Sequence, residues 1–234
     1  MAFTFNADIT PKAAAKLLIS NDISIEGYWH TKQAETLLDE LLRLKVEEIL
    51  KIIDSLDAET KIDSATLPQF GSLEMLIRVP EVMISTGLDG LSYTQLGFYL
   101  KDDVNAKQSA NAKYGETHGK GACQLGFANC QSSKIHFGAL TNAFYDIKDP
   151  NTKLHLARIL CFRIPIIQTL LINAKYSSYN GYLPMSHLEK STQKRRAICV
   201  RMILKELKQL DSDALCRRIN NIVWAMEEGD DTDA

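Results

Sequence analysis

Apolar residues recur at helical spacing through most of this chain, and the recurrence breaks only at a few polar or glycine-bearing stretches. Pro11 opens a short helix over "PKAAAKLLIS", where proline suits the first turn. A longer helix is predicted from Thr31, its N-cap, to Leu56. Leu38, Leu41, Leu42, Ile49, Ile52, Ile53 and Leu56 share one face of it, Lys45 intrudes on that face, and Leu37 and Leu44 lie outside it. So broad an apolar surface predicts packing against neighbouring helices or a dimer seam. The polar stretch Asp57 to Gly71 marks a boundary. "SLEMLIRVPEVMISTG" reads as helix interrupted at Pro80, and "LSYTQLGFYL" as a short helix capped by Ser92 with Tyr93, Leu96 and Leu100 as its stripe. After the polar turn "KDDVNA" a third helix runs from about Lys107 to Gln124, followed by "KIHF" as a strand. A long helix from about Asn151 to Ala174 should kink at Pro165. The loop "KYSSYNGYLP" follows, and "SHLEK" and Ser191 to Leu210 are the last clear helices.

With 234 residues, 45% of them apolar, the chain can bury one large core or two to three small ones. The formal net charge is -2, so a nucleic-acid surface would have to be a local patch. Acid concentrates in the tail "MEEGDDTDA", and the body without it is slightly positive. Five cysteines, with no CxxC, predict a reduced, cytoplasmic chain. The start lacks a signal architecture. The most apolar run, Ile159 to Ile172, is shorter than a span of about 20 residues and carries Arg163 and Gln168, which predicts a buried helix and no membrane.

The stretch Tyr114 to Gln131, "YGETHGKGACQLGFANCQ", concentrates the chemistry. It is not a phosphate loop: only three residues separate Gly115 from Gly119, and glycine follows Lys120. His118, Cys123, Cys130 and His136 are four donors without a zinc spacing, so no metal and no cofactor is expected, and His118 falls on the apolar side as a core histidine. On a helical wheel Ser109, Lys113, Glu116, Thr117, Lys120 and Gln124 fall together, an inventory suited to base edges and phosphates. Gly115 and Gly119 share a third edge, and each costs the helix about 1 kcal/mol relative to alanine, so the close approach of another helix or of a DNA backbone should compensate.

The order helix, short helix, turn, longer helix, Leu125-Gly126-Phe127, polar hairpin Ala128 to Lys134, then Leu140-Thr141 resembles the winged-helix family of DNA-binding domains. The resemblance spans roughly Ser72 to Asp146. It departs from the family in a long, glycine-rich third helix and an acidic preceding turn, Asp102 and Asp103. It implies a mainly α fold with a small β wing, a winged helix-turn-helix with additional helical regions. Lys113, Thr117, Lys120 and Gln124 would then enter the major groove, with Ser132, Ser133 and Lys134 in the wing.

Ser191 to Leu210 is the most basic stretch. Ser191 is its expected N-cap, Cys199, Val200, Ile203, Leu207 and Leu210 line one face, and Lys194, Arg201, Lys205 and Lys208 line the opposite one. Arg195 and Arg196 near the helix start oppose its dipole and are better explained by an external phosphate. Lys194, Arg195, Arg196, Arg201 and Lys205 are therefore expected to hold phosphates. With "LPMSHLEKST" before it, the segment is similar to the second unit of tandem winged-helix proteins and, loosely, to DNA-reading parts of bacterial restriction and defence systems. The division expected is 1–65 N-terminal helical region, 66–150 winged helix, 151–175 connecting kinked helix and 176–234 second basic module with its acidic tail. The expected function is double-stranded DNA binding, as a regulator or restriction component, with a possible homodimer or protein partner through the N-terminal helix. The alternatives are a protein-interaction subunit and a Mg²⁺-dependent nuclease, whose best local fragment is Asp54, Asp57, Glu59 and Lys61.

Overall fold

A computed structural model describes residues 10–22, 31–101 and 107–224. The expected polar turn after Lys101 and the acidic tail lie outside these residues. Helix α1 (Pro11–Ile19) starts where Thr10 Oγ1 accepts from Ala13 N at 3.3 Å. The single helix expected next is two, α2 (Thr31–Arg43) and α3 (Val46–Ile53). Lys45, the intruder on one continuous wheel, is the extended N-cap of α3, and its N–H donates to Glu48 Oε2 at 3.3 Å. The break resets the helical phase, which is why Leu37 and Leu44 are buried although they miss the stripe. The helix already begins at Thr31, whose side chain is outside the described residues.

Helices α4 (Leu73–Ile77) and α5 (Val79–Thr86) divide ahead of Pro80, which takes the first turn of α5. Leu91–Ser92 forms strand β1, and α6 (Tyr93–Lys101) follows at once. Ser92 N donates to Gln95 Oε1 at 3.0 Å and Gln95 N to Ser92 Oγ at 3.3 Å, a reciprocal capping pair. Helix α7 (Gln108–Gln124) leads to the hairpin β2 (Ala128–Gln131) and β3 (Lys134–Phe137). The antiparallel sheet has the order β1-β3-β2, with Leu91 opposite Ile135 and Cys130 opposite Ile135 from the other side. Helix α8 (Thr141–Asp146) is tied back to this unit by Thr141 Oγ1, which donates to Phe127 O at 2.7 Å. The fold is thus mainly helical, 62% helix against 7% strand, with a small antiparallel sheet.

The expected kinked helix is a full break: α9 (Pro150–Cys161) and α10 (Pro165–Asn173) meet at 69°. Pro165 lacks the N–H that would continue α9 and starts α10 instead. The polar residues of this apolar run finish α1. Arg163 Nε donates to Leu18 O at 2.7 Å, alongside Asn21 N at 3.3 Å, and Gln168 Nε2 donates to Ile19 O at 2.9 Å, so both carbonyls at the helix end gain a side-chain partner. Burial pushes Arg163 down to about 10. Among the described residues no single helix is long and apolar enough to cross a membrane.

Strand β4 (Tyr179–Asn180) precedes a 3-10 turn, Leu183–Met185, and the expected helix over "SHLEK" is instead a turn and bend that lead into the next helix at Lys190. Helix α11 (Lys190–Leu207) begins one residue before the expected cap: Glu189, not Ser191, is its N-cap. Helix α12 (Asp213–Asn220) and strand β5 (Ile222–Val223), parallel to β4, close the described chain. One buried cluster runs through all these parts and contains Phe70, Phe127, Phe144 and Phe162. The leucines of α2 belong to it, packed against α1, α8 and α9.

Candidate nucleic-acid interface

Helix α7 is shaped by its glycines. A Cβ on Gly115 would overlap the backbone of Tyr93 and Gly97, and one on Gly97 would overlap the backbone of Asn111. Gly119 faces Ile135 and Leu96, and Gly121 faces Phe70 and Leu76. The glycine edge is therefore filled by α6, the sheet and the core, and the compensation sought in the sequence is intramolecular. His118 is buried at 5% exposure, with Nδ1 2.9 Å from Tyr114 O, and burial holds its pKa below the ordinary value.

The opposite face of α7 is the wet one. Ser109, Lys113 and Lys120 are exposed, and Glu116 and Thr117 half-buried. Glu116 accepts from Lys120 at 2.7 Å and from Lys113 at 3.0 Å, and these bonds hold its carboxyl below the usual range. Two cations and one anion thus form a chain with one net positive charge. Thr117 Oγ1 donates to Lys113 O at 2.9 Å. Gln124, expected on this face, is turned away: its Nε2 donates to Thr66 O at 2.9 Å, and its carbonyl accepts from Arg163 Nη1 at 3.3 Å.

The hairpin turns in two residues. Ser132 and Ser133 have φ of 50° and 60°, the left-handed pair that a two-residue hairpin loop requires, and Gln131 pairs with Lys134 across it. Ser132, Ser133 and Lys134 are all exposed. Cys123, in the last turn of α7, and Cys130 of β2 are joined by a disulfide, their Cα atoms 6.2 Å apart and within the range such a bond spans. This corrects the expectation that every cysteine is a thiol. Cys161, Cys199 and Cys216 are free. The disulfide and the burial of His118 also disperse the four donors weighed for zinc, and no metal-holding cluster of His, Cys, Asp or Glu occurs among the described residues.

Helix α11 carries the second set. Lys194, Arg195 and Lys205 are exposed, and Arg196 and Arg201 half-buried. Arg195 Nη2 donates to Thr192 Oγ1 at 3.2 Å, and the Arg201 guanidinium lies 5.4 Å from the Trp224 ring. Arg196 Nε is buried and makes no hydrogen bond among the described residues, and burial lowers its pKa. Helix α11 packs on α9 and α10, whereas α7 packs on α4, α5 and α6, so the two cationic faces rest on different parts of the fold.

Asp54, the first residue of the acidic fragment weighed for a nuclease, is engaged elsewhere. Asp54 takes both ends of the Arg218 fork, at 2.6 and 2.9 Å, and Lys175 at 2.8 Å. These partners, Arg218 first, hold its carboxyl below the ordinary range. The Lys113-Glu116-Lys120 chain was visible as i,i+3 and i,i+4 spacing, but the Asp54–Arg218 pair, 164 residues apart, left no local signal. Comparison with protein-family models, with characterised proteins and with solved structures finds no match to this chain.

Proposed function

We propose that this protein binds double-stranded DNA through a winged-helix module formed by residues 73–146. The observation that carries the reading is the exposed polar face of α7 beside a two-residue hairpin with a polar tip. The order α4/α5, β1, α6, α7, β2, β3, with β3 central in the sheet, is the arrangement expected of such a module. A helix of 17 residues is about 25 Å long and fits a major groove about 12 Å wide. Lys113, Thr117 and Lys120 face the bases and phosphates, and Ser132, Ser133 and Lys134 meet the flanking backbone. Gln124 positions the end of α7 against the Thr66 loop and does not read a base. Lys194, Arg195, Arg196, Arg201 and Lys205 hold phosphates at a second surface.

A gel shift with a random duplex pool at about 50 mM salt tests the reading, each phosphate contact adding about 0.9 to the log-log salt slope. Affinity that stays unmeasurable there sinks it. Lys120→Ala should relax sequence preference if the lysine reads a base, and weaken all duplexes alike if it holds a phosphate. Glu116→Gln frees both lysines from their shared carboxylate and should strengthen binding several-fold at low salt. A protein-interaction role is the second reading. Ile198 favours it, 62% exposed amid the cations of α11, a position where an apolar side chain gains nothing from phosphate.

A further inference from the structure

We propose that the cleft between α5, α6 and the α8–α9 connection binds a phosphate monoester carrying a planar aromatic group, a ligand of mononucleotide size. The cleft has a volume of about 630 Å³, inside the range of roughly 300–1,000 Å³ that small-molecule sites occupy. Lys153 is part of its lining and is only 5% exposed. Its Nζ sits 2.7 Å from Glu81 Oε1 and 5.7 Å from the Tyr145 ring centre. An ammonium carries three hydrogens, and Glu81 takes one. Arg78 and Lys148 also line the cleft. Arg78 Nη1 donates to Leu100 O at 3.3 Å, while its Nε and Nη2 make no hydrogen bond among the described residues. Lys148 Nζ approaches Asp146 only to 3.9 Å and lies 4.6 Å from the Tyr145 ring centre.

Three cations line one volume with a single carboxylate among the lining residues, and with Asp146 beside Lys148 counted the cleft keeps an excess of at least one positive charge. A phosphate monoester suits three convergent cations because it offers three acceptor oxygens, where a carboxylate offers two. Tyr99, 42% exposed, and Tyr145 add flat aromatic surface, and neither phenol makes a hydrogen bond among the described residues. The exposed Tyr99 ring beside cations suits a planar ring that stacks while its phosphate reaches the lysines. The site uses none of the residues assigned to duplex DNA, so it stands whether or not that reading does.

Calorimetric titration of the 234-residue chain with adenosine 5′-monophosphate, adenosine and inorganic phosphate tests this. The nucleotide should saturate with a Kd below about 1 mM, and each fragment should bind at least about tenfold more weakly. Lys148→Ala and Tyr99→Ala remove exposed side chains and should each weaken the nucleotide about fivefold or more, with melting curves confirming an unchanged fold. Lys190→Ala, on α11, should leave its affinity unchanged. No saturation by the nucleotide at several times 1 mM, affinity indifferent to both cleft substitutions, or inorganic phosphate binding as tightly as the nucleotide would each overturn the proposal.

Discussion

Asp54 shows how far a single residue can be misread from its neighbours. In sequence it stands with Asp57, Glu59 and Lys61 like a metal-holding group, yet in the fold its carboxylate closes the Arg218 fork, whose side chain is 9% exposed. Asp54→Asn leaves that guanidinium buried and uncompensated, and urea unfolding at pH 7 should show a loss of about 3 kcal/mol. The pH dependence follows from the direction of the shift. Arg218 and Lys175 depress the folded pKa, so the unfolded chain holds the proton more tightly. The stabilisation is complete above the unfolded value of about 3.9 and is lost as pH falls through the lower folded one. The asparagine variant should lose that part of the acid limb of the stability profile. Lys45 was misread for a nearer reason. It interrupts an apolar face only on a wheel continued through the helix break, and its extended conformation at the start of α3 removes the conflict.

At the scale of elements, the sequence declared most helices and the hairpin, because periodicity and turn chemistry are local properties. The capping role of Ser92, the interruption at Pro80 and the strand "KIHF" were all legible. The cost of two glycines in α7 was legible too, but what fills their edge was not, since that depends on which helix arrives there. The contact between Gly97 and Gly115 sets backbone against backbone, where nothing can yield cheaply. Gly115→Ala should therefore cost about 3 kcal/mol in denaturant unfolding, at the upper end of ordinary overpacking. Gly71→Ala is the control, since a Cβ there meets nothing within 4 Å, and should stay within about 0.5 kcal/mol of the parent.

Across the whole molecule, a mainly helical class could be read from the chain, whereas the pairings that lock it could not. Cys123 and Cys130 are seven residues apart, a spacing that advertises nothing, and only the placement of the hairpin against the end of α7 brings them together. A loop that short gives a cross-link worth roughly 2 kcal/mol by chain entropy. Cys130→Ser should lower stability by about that amount without reductant, and a thiol reductant should bring the parent protein down to the same level. If the parent is indifferent to reductant, the cross-link does not form in solution.

The two side chains that finish α1 arrive late. Gln168 lies 149 residues beyond the Ile19 carbonyl it satisfies, and Arg163 lies 145 beyond Leu18. At a synthesis rate of about 5–20 residues per second, that separation is roughly 7–30 s on the ribosome. Throughout that interval α1 can already pack on α2 and α3, but its last carbonyls wait for these two side chains. The end of α1 can therefore take its final form only after the second half of the chain has been translated.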